Sequence, residues 1–359
     1  MHHRTIVNRP YQLNVDWAQA VLSNHRQLKG FEINDVNVTS VDVGTTTRVR
    51  LAVAHNVPEI PRQWFVKLPS LSFRAKAITA LPRLLPTEVR FYNELADQVP
   101  LNKPKLLFAH NRIGRGSTLV INDVSEFGAI PGRAGDALTV EQARSVIGQL
   151  AQFHGHFTSK ARYDRSFRWL ASPVRRLEDG LGAALAVPLM RRGLRLASGC
   201  VNQRLYGSAL RYARYRKKMM RFLSSAQPTL VHHDCHPGNL FWHNNQPGFL
   251  DWQMVRVGEG ISDVSYFLAT ALDPESRRQH ELDLLTNYHE LMATNHSVKT
   301  DFNSLLNRYR AHLAYPFEAM IVTLAVGGMM PLDSNLELIR RAAQAVEDHD
   351  TFAILQNVR

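Results

Sequence analysis

Residues 229–252 read TLVHHDCHPGNLFWHNNQPGFLDW, and the fold turns on how they are read. An apolar start (Thr229, Leu230, Val231) gives way to a polar loop containing His232, His233, Asp234 and the pair Pro237-Gly238. Two short apolar runs follow on either side of Asn244-Asn245-Gln246-Pro247-Gly248. The pattern is strand, loop, strand, turn, strand. Antiparallel pairing of residues 240–242 with 249–251 across a turn at 244–248 sets Leu240 opposite Asp251 and Asn239 opposite Trp252. Asn239 and Asp251 are then expected to be neighbours, with Asp234 five residues before Asn239 in the same loop. Two carboxylates and an amide oxygen at one end of a hairpin suit a hard cation. Mg²⁺ takes oxygen ligands and keeps several waters, so one or two protein ligands suffice when phosphates complete its shell. Asp234 is left to act as a base.

The same loop carries a competing reading, because His232, His233, Asp234, Cys235 and His236 are all zinc-ligand types. Consecutive residues of an extended loop point in alternating directions, and neither a second ligand pair nor an HExxH helix accompanies them. Cys235 as a nucleophile has no identifiable base, and a GxSxG elbow is absent. GxxxxGK[ST] and a GxGxxG after a strand are also missing, which disfavours a P-loop enzyme or a dinucleotide-binding fold.

Upstream, residues 36–53 form two alternating β-branched runs about Val43-Gly44-Thr45-Thr46, the pattern of a hairpin. A third strand is expected at 63–68, with Trp64, Val66 and Leu68 on one face and Gln63, Phe65 and Lys67 on the other. A helix opens at Pro86-Thr87-Glu88, with Val89, Tyr92 and Leu95 or Ala96 recurring at helical spacing. Strands at 106–109 and 118–122 complete a small antiparallel sheet. After Asp123-Val124-Ser125 the pattern becomes helical. Thr139 and Gln142 form a capping box ahead of Ala143, Val146, Ile147, Leu150, His154 and Phe157, and His154 reads as a satisfied core histidine. Residues 205–223 and 303–330 are further helices, the second interrupted at Pro316. The expected organisation is an N-terminal unit over 1–125 and a mainly helical unit over 126–359.

Composition bounds the function classes. At 359 residues and 45% hydrophobic, the chain is long enough for two units of roughly 150 residues with cores of their own. Two cysteines, Cys200 and Cys235, can make at most one bridge, so a reducing cytoplasm is expected. The longest apolar run, 319–330, falls short of the ~20 residues of a membrane span, and the first residues lack a secretory signal pattern. The net charge of +12 is concentrated. Residues 160–221 hold sixteen Lys and Arg against Asp164, Glu178 and Asp179, a local +13 that leaves the rest near neutral. Such a segment is a solvated face or a site for an anionic partner. Nucleic acid is disfavoured, because no RNA- or DNA-binding module accompanies it.

The run His232-His233-Asp234-Cys235-His236-Pro237-Gly238-Asn239, followed by Leu250-Asp251-Trp252, resembles the HxDxxxxN and Asp-containing metal motifs of the aminoglycoside phosphotransferase and choline kinase-like family. FLDWQ resembles the wording of its ecdysteroid-kinase-like branch. The resemblance runs from about Val36 to past Phe267. It implies an α+β, two-lobed protein-kinase-like fold, with a small antiparallel sheet in one lobe, helices in the other and ATP between them. Asp234 resembles the catalytic base, Asn239 and Asp251 the Mg²⁺ ligands, and Lys67 the strand lysine that holds the α and β phosphates. Glu88 resembles the ion-pair partner of that lysine, although Glu94 lies on the same helix. Gly44, Thr45 and Thr46 fall in the nucleotide loop, and Asp123 and Val124 in the segment that meets adenine. Asp263 and His232 resemble residues that support the catalytic loop.

Three departures count against a protein kinase: His233 where the family often has glycine, GTTT in place of GxGxxG, and Trp252 in place of the Phe-Gly of DFG. The implied reaction moves the ATP γ-phosphoryl group to a hydroxyl of a small molecule. The basic segment favours a neutral or anionic acceptor over polycationic aminoglycosides. A catalytically silent nucleotide-binding scaffold and a basic nucleic-acid-binding protein are the alternatives.

Overall fold

Alternation of β-branched and polar residues builds the first sheet. In a computed structural model that describes all but residues 1–4, 25–29, 73–82, 159, 162–163, 172, 297 and 357–359, helix α1 (Val15–Leu22) precedes strands β1 (Ile33–Val43), β2 (Thr46–His55) and β3 (Gln63–Pro69). Helix α2 (Leu84–Glu94) and strands β4 (Leu106–Arg112) and β5 (Gly116–Asn122) follow. The sheet is antiparallel throughout, in the order β1-β2-β3-β5-β4. Trp64, Val66 and Leu68 enter the core beside Val49, Leu51 and Val53. Phe65 is half-buried on the opposite face, which it shares with Lys67.

Helix α1 has no counterpart in the sequence expectations. Asn14 caps it by accepting from the Trp17 amide, and Trp17, Ala18, Val21 and Leu22 are buried. Trp17 meets Trp64 edge-on at 6.1 Å. Helix α2 starts two residues before Pro86, which sits in its first turn, where a missing N–H breaks no bond.

Beyond β6 (Ile130–Pro131) come α3 (Val140–Thr158), α4 (Pro173–Leu196), α5 (Arg204–Arg214), α6 (Arg216–Phe222) and β7 (Pro228–Val231). Then follow β8 (Leu240–His243), β9 (Gln246–Phe249), β10 (Arg256–Glu259), α7 (Ile261–Ala271), α8 (Pro274–His296), α9 (Phe302–His312), α10 (Ala314–Val326), α11 (Leu332–Asp348) and α12 (Thr351–Gln356). The chain divides into two units. One comprises Met1–Pro131, Phe241–Asn244 and Gly248–Met254, and the other Gly132–Leu240, Asn245–Pro247 and Val255–Arg359. Asp251 therefore belongs to the unit of the five-stranded sheet, and Asp234 and Asn239 to the helical one.

In the helical unit every residue of α7 is buried, and α9, α10 and α11 pack against it. Its Asp263, Ser265, Tyr266 and Thr270 side chains are hydrogen-bonded within the unit, as burial on every face demands. The capping box of α3 is present: Thr139 N donates to Gln142 Oε1 at 3.0 Å, and Gln142 N to Thr139 Oγ1 at 3.2 Å. His154 is fully buried between Tyr288 Oη (2.9 Å) and Asp263 Oδ2 (3.2 Å), a satisfied core histidine. The expected helix at 303–330 breaks at Leu313, and Pro316 lies in the first turn of α10. The one expected at 205–223 breaks at Tyr215. Arg162 of the basic segment lies outside the described residues.

The expected register of the hairpin at 240–251 requires correction. Asn244 and Asn245 have φ of 50° and 60°, so they form the turn alone, as a two-residue hairpin demands. Strand β9 begins at Gln246, and Gly248 lies against the Phe241 ring, where a Cβ would approach within 2.1 Å of Cζ. Asp251 lies two residues past the end of β9 and does not pair with Leu240. Asparagine tolerates left-handed φ, and this moved the turn three residues shorter than expected.

Candidate active site

The first cluster forms because period-2 alternation turns Lys67 away from the core side of β3. Its Nζ lies 2.8 Å from both Glu88 carboxylate oxygens and 2.8 Å from Asp251 Oδ1. Glu88 comes from α2 and is fully buried, and Lys67 is 5% exposed. Glu94, the other candidate on α2, pairs instead with Arg90 on the exposed side. Burial opposes the Lys67 ammonium, but the charges of Asp251 and Glu88 outweigh it and hold the group above its ordinary value. Burial pushes the Glu88 carboxyl up, against the pull of Lys67, so the ammonium is the firmly charged member of the cluster.

Asp251 has φ 60°, a left-handed conformation that costs a non-glycine residue about 1 kcal/mol or more. Its neighbours hold it there. The Trp252 amide donates to Glu88 Oε1 at 3.1 Å, and the buried Trp252 ring stacks on Phe91 of α2 at 4.3 Å and 6°. In this chain Trp252 does the packing that ties the Asp251 segment to the helix carrying Glu88.

In the same unit Gly44 and Thr45 turn β1 into β2. The Gly44 carbonyl accepts from Ser70 Oγ, and Gly44 N donates to Thr46 O. Asp123 sits at the end of the sheet. Its amide donates to the Gln63 carbonyl, its carboxylate accepts from Arg50 at 2.6 Å, and it caps the turn that begins at Val124.

The second cluster is the loop after β7. The backbone amides of His232 and His233 donate to Asp263 Oδ2 (2.7 Å) and Oδ1 (2.8 Å), so the fully buried Asp263 carboxylate at the start of α7 pins the loop. This matches the bracing role implied for Asp263. His233 occupies the position where the family often has glycine, and its φ is 69°. The strain is countered by the Asp263 bond, by stacking of its ring on Tyr315 at 4.0 Å and 19°, and by the bond from Tyr315 Oη to its carbonyl. Asn239 Nδ2 donates to both Asp234 O (2.8 Å) and Asp234 Oδ2 (3.0 Å).

Tyr266, one helical turn after Asp263, donates from Oη to Asp234 Oδ1 at 2.6 Å. Burial and the Asp234 charge keep its hydroxyl pKa well above the ordinary value, so Tyr266 stays a proton donor. Sequence reasoning missed this residue. The i,i+3 spacing of Asp263 and Tyr266 on an apolar helix was the available signal, because that spacing puts both side chains on one face.

The zinc-type residues are committed elsewhere. His236 Nδ1 accepts from the Gly238 amide. Cys235 is buried, its thiol pushed up by burial, and Sγ donates to the Asp263 carbonyl. Among the described residues no three His, Cys, Asp or Glu side chains gather as a metal site.

A sheet-bearing unit with a buried lysine in a carboxylate pair, joined in one chain to a helical unit with a braced Asp-Asn loop, is the architecture of protein-kinase-like phosphotransferases. The chain belongs to the phosphotransferase enzyme family, whose model matches residues 54–295. Solved structures agree on the fold. Choline kinase from Cryptosporidium parvum Iowa II is 11% identical, with a TM-score of 0.55 and 96% of each chain covered. The GDP complex of aminoglycoside 2'-phosphotransferase-IIIa is 13% identical with a TM-score of 0.51, over 93% of this chain and 97% of that one. Choline kinase LicA from Streptococcus pneumoniae is 11% identical with a TM-score of 0.50, over 93% and 98%. Comparison with curated proteins gave no match.

Proposed function

We propose that the protein transfers the γ-phosphoryl group of ATP to a hydroxyl of a small molecule. The observation that carries this reading is the buried Lys67 ammonium, fixed by Glu88 and Asp251. A cation held in this way suits the α and β phosphates of a nucleotide. Glu88 keeps Nζ in place. Asp234 accepts or orients the proton of the acceptor hydroxyl, with Tyr266 and Asn239 fixing its two oxygens. Gly44, Thr45, Thr46, Asp123 and Val124 are assigned to the nucleotide.

Asn239 and Asp251 are the residues that would hold Mg²⁺. Each side chain, within its own unit, offers an oxygen donor of the kind a hard cation takes. The Asn239 amide nitrogen is spent on Asp234, which leaves the carbonyl oxygen as the ligand end, and Asp251 brings a carboxylate that also holds Lys67. When bound, Mg²⁺ supplies neutralisation of the phosphate charge.

The acceptor is neutral or anionic. Beside the loop, Arg256 approaches His233 Nε2 at 3.5 Å, and the Tyr315 ring covers the other face of His233. The nearby carboxylates are already engaged, Asp263 by loop amides and Glu318 by Arg216 and Tyr212. A polycation would find little to replace its lost hydration here. Both cysteines are free thiols, which suits a reducing compartment, and among the described residues no helix is long and apolar enough to cross a membrane.

The test is an ATP-consumption screen against hydroxyl-bearing metabolites with Asp234→Asn as the control. Turnover should fall by about 10² to 10⁴ in the variant while Mg·ATP affinity holds. A variant working at the parental rate refutes the assignment of the base. Faster turnover of kanamycin-type compounds than of neutral alcohols refutes the acceptor reading.

A further inference from the structure

The basic segment is not used by the proposed reaction, and its structure gives it a use. From Gly180 to His233 the chain has no Asp or Glu and ten Lys or Arg. Arg216 is neutralised by Glu318 on α10. Arg191, Arg192, Arg195, Arg204, Arg211, Arg214, Lys217 and Arg221 are exposed. Charges of one sign, with no acid in the same stretch of chain, favour a positive potential that draws anions.

Helices α5, α6 and α12 line a half-open cleft of about 340 Å³ on this surface. That is within the size range of small-ligand pockets. Its wall has two characters. Tyr212, Met219, Phe352 and Leu355 are buried apolar or aromatic side chains, and Arg211 and Lys218, seven residues apart across the α5–α6 junction, line it with cationic groups. Neither Arg211 nor Lys218 forms an ion pair with any described carboxylate. Tyr215, at the junction of the two helices, also lines the cavity and is 52% exposed. No lining residue belongs to the Asp234 loop or the Lys67 cluster.

We propose that this cavity binds an anionic amphiphile. A phosphate or carboxylate head sits on Arg211 and Lys218, and a short hydrocarbon or aromatic body lies against Met219, Phe352 and Leu355. Two partly exposed charges alone give little affinity for a free anion, because water competes for them. Apolar surface alone gives no preference for charge. The pairing of the two in one cavity selects a ligand that has both. The site stands apart from the phosphotransferase reading, because its test reads binding and not turnover.

Octyl phosphate is the probe, titrated calorimetrically into the full-length protein at low salt. A Kd of about 1 mM or tighter is expected, with octanol and inorganic phosphate each at least about tenfold weaker. The double variant Arg211→Gln, Lys218→Gln should weaken octyl phosphate by about tenfold, and Ser208→Phe, which fills the cavity from its α5 wall, should abolish binding. Circular dichroism melts establish that both variants fold. Absence of octyl phosphate binding to the parent overturns the proposal. So does inorganic phosphate or octanol binding as tightly, or a folded variant that binds unchanged. Sedimentation with phosphatidylcholine vesicles, with and without phosphatidic acid, separates the sources of such a ligand. Capture by the acidic vesicles that octyl phosphate reverses assigns the site to a bilayer lipid, and octyl phosphate binding without capture assigns it to a soluble amphiphile.

Discussion

Tyr266→Phe deletes one atom from the proposed base. The lost bond is 2.6 Å long, and its acceptor, Asp234 Oδ1, belongs to a side chain that is 21% exposed. A hydrogen bond to a charged group contributes about 1.5–3 kcal/mol. Water can reach this carboxylate in part, so the lower end applies, about 1.5 kcal/mol. The sign follows from which form the bond favours. Tyr266 donates to the carboxylate, so it favours the ionised base, and its removal disfavours it. The base works deprotonated, so the acid limb of the kcat/KM profile should move to higher pH, with the plateau falling less than tenfold. The phenyl ring preserves the packing of α7, and the melting temperature should change by only a few degrees. The assay is a pH series of ATP-dependent phosphorylation with an acceptor found by the screen. An unmoved acid limb, or one moved to lower pH, refutes the role given to Tyr266. A uniform thousandfold loss also refutes it, because that would make the hydroxyl a participant in the chemistry.

Three further outcomes are expected. Lys67→Met should weaken Mg·ATP binding in calorimetry and lower stability by about 3 kcal/mol, because it leaves the buried Glu88 carboxylate without its cation; nucleotide affinity equal to the parent's would count against the lysine. Asp251→Ala should weaken nucleotide binding in the presence of Mg²⁺ more than in its absence, and an equal loss under both conditions rejects it as a metal ligand. Glu259 is pushed up by burial, but His312, Arg308 and the Ala226 amide outweigh this and hold its carboxyl below the ordinary value. A depressed carboxyl contributes stability above its unfolded pKa and loses it as pH falls through the folded one. Glu259→Gln should therefore be less stable by about 3 kcal/mol at pH 7, with the deficit shrinking below about pH 4.5 in urea melts; a deficit independent of pH contradicts the charge assignment.

The sequence made the hairpin of β1 and β2, the strand face that carries Lys67 and the Thr139–Gln142 cap legible, because each is written in local spacing. It left the choice between Glu88 and Glu94 open, because both lie on α2 and only burial against β3 separates them. It misplaced the turn before Asp251, because two asparagines that tolerate left-handed φ can close a hairpin without the Pro-Gly that follows. Helix α1 was overlooked because eight residues give little periodicity, and its reason for existing, the contact of Trp17 with Trp64, spans 47 positions in sequence. Tyr266 was hidden in an apolar run where a tyrosine reads as core, and it is core, apart from the one oxygen that reaches Asp234.

The stack of Trp252 on Phe91 has a mechanical consequence. It welds the Asp251 segment to α2, and through the Trp252 amide to Glu88 itself. The two carboxylates that share the Lys67 ammonium thus travel as a single lever. A regulator that swung the helix outward would carry the second carboxylate with it, and the strand lysine would lose both anchors in one stroke. In this chain the helix is a brace for both carboxylates.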